Sequence, residues 1–87
     1  MKVAIIIPYR TDRGYLSEAL KSVERQTYPA DLIKCIQVQS ENTVGHNLNE
    51  GITQAKGCDL VRYLCDDDRL TATSIADTVA HFKNHTH

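Results

Sequence analysis

Leu60-Val61-Arg62-Tyr63-Leu64-Cys65-Asp66-Asp67-Asp68-Arg69-Leu70 is the stretch that decides the fold. Five mostly apolar or aromatic residues run directly into three consecutive carboxylates. The first half reads as a short strand, with Val61, Tyr63 and Leu64 suited to a packed sheet. The second half reads as a loop at the strand's end. Adjacent carboxylates repel one another, and the repulsion grows as they leave water. Such a cluster either stays solvated or is neutralised by a cation. Asp66 and Asp68 flank one residue, so a bent loop could aim both at one hard ion. Mg²⁺ and Mn²⁺ suit carboxylate and water ligands and take phosphate oxygens as the rest. An ordinary solvated acidic turn has the same composition.

Working outward, Val3-Ala4-Ile5-Ile6-Ile7 is a continuous apolar run stopped by Pro8. A short run without polar alternation is the pattern of a parallel strand buried on both faces. The loop Pro8–Gly14 that follows holds a single glycine, so no Gly-x-Gly-x-x-Gly cradle for a dinucleotide is present there. Tyr15 to Gln26 is expected to be a helix, with Leu16, Ala19, Leu20 and Val23 inward and Asp12 as N-cap. Pro29 disfavours a helical Tyr28 and closes it. Leu32 to Val38 is the second expected strand. Val44 to Lys56 is the second helix, with Val44, Leu48, Ile52 and Ala55 as its stripe, Asn42 or Thr43 as cap and Gly57 as its left-handed stop. Thr71 to Asn84 is the third. Ser74 and Asp77 there have capping-box-like spacing, and Ile75, Ala76, Val79 and Phe82 point inward.

The order is β-α-β-α-β-α, which predicts an α/β domain with a parallel sheet and right-handed crossovers. With the first strand central, the sheet order is 2-1-3. A topological switch point then falls between strands one and three, where open α/β sheets bind ligands outside the carboxyl ends. The loops meeting there are Pro8–Gly14 and Cys65–Leu70. Carboxylates for a metal beside Arg10 and Arg13 for anions suit a metal-diphosphate.

The chain has 87 residues, a hydrophobic fraction of 41% and a formal net charge of −1. That suits one small globular domain and gives no general basic field for nucleic acid. The three cysteines, Cys35, Cys58 and Cys65, have no metal-ligand spacing. They are read as reduced thiols of a cytoplasmic-type protein, with Cys35 and Cys65 as small core residues. No apolar run approaches the roughly 20 residues that span a bilayer. Met1-Lys2 leads into only five apolar residues, which is not a signal-peptide pattern.

These residues carry a family resemblance. Ile5-Ile6-Ile7-Pro8, then Leu16, Ala19-Leu20, Ser22-Val23 and Gln26-Thr27-Tyr28-Pro29, resemble the opening of family 2 glycosyltransferases of the GT-A fold. Asn49-x-Gly51-Ile52-x-x-Ala55-x-Gly57, followed by Tyr63-Leu64-Cys65-Asp66-Asp67-Asp68, resembles that family's approach to its DXD motif. The Pro8-Tyr9-Arg10 loop, and the direct passage from the second strand into the Asn49 helix, are more similar to the β-1,4-galactosyltransferase family. The resemblance runs from Val3 to about Phe82. It implies that Pro8, Tyr9 and Arg10 hold the base and phosphates of a nucleotide-diphosphate sugar, a UDP-sugar first among them. It implies Asp66 and Asp68 as the DXD pair, Asp68 as the direct ligand of Mn²⁺ or Mg²⁺ and Asp66 nearer ribose or metal. Asp67 stays a candidate ligand, because the adjacent pair serves in some members. Gln39 stands at the end of the second strand, where the larger family places an acidic residue against the base, so the base identity is open.

Two departures stand out. Family members run to more than twice this length, and their second half supplies the acceptor site and a general base. The extra helix and strand that family 2 inserts after the second strand are also missing. The expectation is therefore a minimal glycosyltransferase acting with another copy or a larger partner, or else a nucleotide-sugar-binding or assembly module without chemistry. A Mg²⁺-dependent phosphohydrolase would need a second motif that the sequence does not offer. Other residues have plainer readings beside functional ones. His81, His85 and His87 form a His-rich terminus or complete a metal site. His46 and Arg69 are surface residues or phosphate contacts. Asn49 ties backbone together or touches the donor. A three-stranded sheet leaves two open edges, so a homo-oligomer or docking onto a larger partner is expected.

Overall fold

The structure, a computed structural model, describes residues 1–9, 14–39 and 44–85, with the side chains of 44–48 and 85 excepted. Its centre is β1 (Val3–Tyr9). Val3 to Ile7 are each at most 1% exposed, as expected of an apolar run covered on both faces. β2 (Ile33–Gln39) pairs with β1 in parallel over its whole length, from Val3 opposite Ile33 to Tyr9 opposite Gln39. β3 (Leu60–Tyr63) pairs in parallel on the other side, from Val3 opposite Leu60 to Ile6 opposite Tyr63. The sheet order is β2-β1-β3, as expected.

Successive β1 side chains alternate between the two faces. Val3, Ile5 and Ile7 pack with Leu16, Ala19 and Val23 of α1 (Leu16–Glu24), with Leu64 and Leu70, and with Ile75 and Val79 of α3 (Ser74–His85). Ala4 and Ile6 pack on the opposite face with Ile36, Val38 and Ala55, under α2 (Val44–Gln54). These layers make a three-layer α/β domain.

Several local expectations are corrected. The α1 N-cap is Tyr15, with no side-chain capping bond, rather than Asp12, which lies outside the described residues. α1 ends at Glu24, well ahead of Pro29, because the Thr27 amide turns away to the Ala72 carbonyl at 2.9 Å. A single 3₁₀ turn, Ala30–Leu32, then takes Leu32 out of the second strand. Ile52 is 47% exposed, whereas Gly51 is buried. Gly51 faces the sheet because the helix comes so close that a Cβ there would lie 2.4 Å from Ile6 Cγ2. Val61 and Tyr63 are 42% and 46% exposed. They point to the α2 side, and α2 lies over β1 and β2 instead. Phe82 is 38% exposed. It lies in the last part of α3, beyond the buried Ile75 and Val79. Cys35 and Cys65 are exposed free thiols, not core residues. The Asp77 carboxylate accepts from the Thr73 hydroxyl at 2.9 Å, while Ser74 shares a hydroxyl contact with Thr71 at 2.7 Å. The expected Ser74–Asp77 box is therefore replaced by side-chain bonds from Thr73 and Thr71. Asn42 and Thr43 lie outside the described residues. Gly57 has φ 94°, the left-handed stop expected after α2.

Gly51→Ala tests the α2–β1 contact. Overpacking costs about 1–3 kcal/mol, against a helix-propensity gain of about 1 kcal/mol. The expected outcome is a net loss of up to about 2 kcal/mol, read from the urea midpoint; a gain would show that the helix stands further off.

Candidate functional site

The carboxyl ends of all three strands open on the same rim of the sheet. β1 arrives there through half-buried Pro8 and Tyr9. Tyr9 lies in register with Gln39, the exposed last residue of β2. β3 leaves the sheet one residue beyond its last pair, where the Leu64 amide donates to the Ile6 carbonyl at 2.9 Å. Buried Leu64 anchors this exit in the core. The chain then turns at once, and the Asp68 amide closes on the Cys65 carbonyl at 3.0 Å. The acidic turn thus begins at the rim that carries Pro8 and Tyr9. Arg10 and Arg13, the expected phosphate contacts, lie outside the described residues. So do His87 and the side chains of His46 and His85.

Within the turn, one ligand atom each from Cys65, Asp67 and Asp68 lies within 4.8 Å of the others, all three residues being exposed. Asp66 is half-buried and is not in this trio. Two solvent-facing carboxylates near one point fit a hard divalent cation, which fills its remaining positions with water and phosphate oxygens. A thiol suits softer metals. Here partial desolvation, then the charges of Asp68, Asp67 and Asp66 and a hydrogen bond to Asp68, push the Cys65 thiol up from its ordinary value. The two carboxylates, not the sulfur, are therefore the donors that fit Mg²⁺ or Mn²⁺. Arg69 places its Nε 3.9 Å from Glu18 Oε2 of α1. His81 and Asn49 are exposed on their helices.

Sequence reasoning missed the support on the carboxyl side of the turn. Ser22 is the one buried polar residue among those described. Its hydroxyl donates to the Ala19 carbonyl at 2.6 Å and accepts from the buried Leu70 amide at 3.1 Å. Gln26 Nε2 donates to the Ser22 and Thr71 carbonyls at 2.9 and 2.7 Å, and its Oε1 accepts from the Ile75 amide at 2.9 Å. The available signal was Ser22 on the apolar stripe of α1, where a polar residue needs a partner.

A shallow apolar depression between α1 and β2 is lined by Val23, Glu24, Ala30, Ile33 and Cys35. It lies by the amino-terminal half of β2, away from the acidic turn. Desolvation there, then the Glu24 charge, push the Cys35 thiol up as well.

Among solved structures, the chain is similar to TarS of S. aureus, with a TM-score of 0.78 and 20% identity over 98% of this chain and 20% of that one. It is equally similar to residues 1–349 of TarS in complex with UDP, with a TM-score of 0.78, 20% identity and coverage of 98% and 33%. At this identity the likeness is one of fold: a small GT-A, Rossmann-like α/β domain. The chain spans a fifth and a third of the two structures. No family model and no curated protein matches the sequence. No described helix is long and apolar enough to cross a membrane.

The raised Cys65 thiol has a checkable consequence. Its thiolate fraction at fixed pH is lowered by the neighbouring carboxylates, so Asp67→Asn with Asp68→Asn lowers the thiol pKa and raises that fraction. Iodoacetamide labelling at pH 8, followed by peptide mass spectrometry, is expected to run severalfold faster at Cys65 in the double variant. An unchanged rate would show that the carboxylates do not face the sulfur.

Proposed function

We propose that the chain is the donor-binding part of a metal-dependent glycosyltransferase that takes a nucleotide-diphosphate sugar, a UDP-sugar first among the candidates. The observation that carries this reading is the shared rim, where Tyr9 lies opposite Gln39 and the acidic turn leaves β3. The UDP held by the similar TarS structure supports the choice of nucleotide. In this reading Pro8, Tyr9 and Arg10 hold base and phosphates. Gln39 offers a donor and an acceptor to the base edge. Asp68 and Asp67 hold Mn²⁺ or Mg²⁺, and Asp66 serves the ribose or the cation. The bound cation would neutralise charge on the departing diphosphate.

The second reading is a nucleotide-sugar-binding or assembly module without transfer, which the same rim and acidic turn would serve by binding alone. Turnover of a UDP-sugar with a supplied acceptor would favour the enzyme; binding without transfer under any condition would favour the module.

Calorimetric titration of UDP with and without Mn²⁺ tests the donor site. The expected result is Mn²⁺-dependent binding that Asp68→Ala weakens by at least about tenfold. Binding that is indifferent to both the cation and the variant would overturn the role of the acidic turn. The outer edges of β2 and β3 are unpaired among the described residues, and we extend the proposal to association through them, as a homo-oligomer or with a larger partner. Light scattering at micromolar concentration is expected to report a species above the monomer mass. A monodisperse monomer would leave only the larger partner.

A further inference from the structure

We infer that Ser22 and Gln26 are positioning residues for the acidic turn: they tie its carboxyl-side strap to α1, so that Asp67 and Asp68 keep one mutual geometry. The consequence for cation binding rests on the function proposed above; the structural part does not.

The turn is held at three places. On the amino side, Leu64 is fixed to β1 through the Ile6 carbonyl. Inside, the Asp68 amide closes on Cys65. On the carboxyl side, residues 70–73 belong to no helix or strand. Their backbone groups must find partners elsewhere, and they find them at the end of α1. The Leu70 amide reaches the Ser22 hydroxyl, the Thr71 carbonyl reaches Gln26 Nε2, and the Ala72 carbonyl accepts from the Thr27 amide. The Ile75 amide then returns to Gln26 Oε1. Gln26 thus grips the strap and the start of α3 with opposite ends of one amide.

Only Arg69 separates Asp68 from Leu70. The Leu70 side chain, 9% exposed, anchors this point in the core. An apolar anchor is non-directional and fixes position more than orientation. The directional bond from its amide to Ser22 fixes how the preceding peptides face. That accounts for a hydroxyl on the buried stripe of α1, where an apolar side chain would pack without a polar group to satisfy.

Two measurements on the whole chain test the inference in wild type, Ser22→Ala and Gln26→Glu. The second variant keeps the acceptor for Ile75 and loses the donor to the Ser22 and Thr71 carbonyls, so it decides the matter if Ser22→Ala does not fold. Backbone ¹⁵N relaxation is expected to give order parameters near ~0.85 at Asp67 and Asp68 in wild type, falling toward ~0.6 in the variants, with Ile5 and Ile7 unchanged. Mn²⁺ affinity, followed by water-proton relaxation, is expected to fall about tenfold. Unchanged order at Asp67 and Asp68, or a turn already disordered in wild type, would overturn the inference. Disorder without loss of Mn²⁺ affinity would overturn its consequence for the site. Wild type that takes up no Mn²⁺ while the variants still loosen the turn would uphold the positioning and overturn the cation-binding reading instead.

Discussion

A strand of five consecutive apolar residues cannot be half-solvated, and that constraint organises this molecule. Val3 to Ile7 need cover on both faces and hydrogen-bonding neighbours on both edges. β2 and β3 supply the edges. α1 and α3 cover one face and α2 the other. Parallel neighbours in turn demand crossovers, and right-handed crossovers in opposite directions, from β1 to β2 and from β2 past β1 to β3, put α1 and α2 on opposite faces. The chain must therefore reverse direction beside β1. The gap between the ends of β1 and β3 is the geometric result of burying that strand, before any ligand enters.

The site follows from the same geometry. All three strands run the same way, so Tyr9, Gln39 and the acidic turn reach one rim from distant parts of the sequence. Exposed acids on a short turn cost little while solvated. In the proposed function they would attract a cation that brings its own anionic ligand. The core thus contributes placement, and the loops contribute chemistry.

Strand order and element sequence were legible because each depends on patterns within a few residues. The β1 run, the Gly57 stop and the turn residues after Leu64 all behave as their local sequence predicts. What misled was cover that depends on length and closeness of approach. Val61 and Tyr63 look like packed strand residues, yet α2 lies over the other two strands. Ile52 looks like the inward residue of α2, yet the helix sits too close for anything larger than Gly51 at the contact. Of the candidate site, the arrival of Pro8, Tyr9, Gln39 and the acidic turn at one rim could be read in advance, whereas the trio of Cys65, Asp67 and Asp68 differs from the expected Asp66 and Asp68 pair. Ser22 could not be read, because its partner is a backbone amide 48 residues away, and a backbone amide leaves no mark on sequence composition.

The exposed flank of β3 sets the direction in which this architecture can grow. A strand laid along that edge would flank Val61 and Tyr63 and find a ready row of amides and carbonyls. Run antiparallel to β3, it would begin at the rim, so its first residues would stand next to the acidic turn. Extension on the β2 side would end far from it, beyond Gln39. The domain is asymmetric in this respect: one border lies beside the carboxylates, and the other beside Gln39.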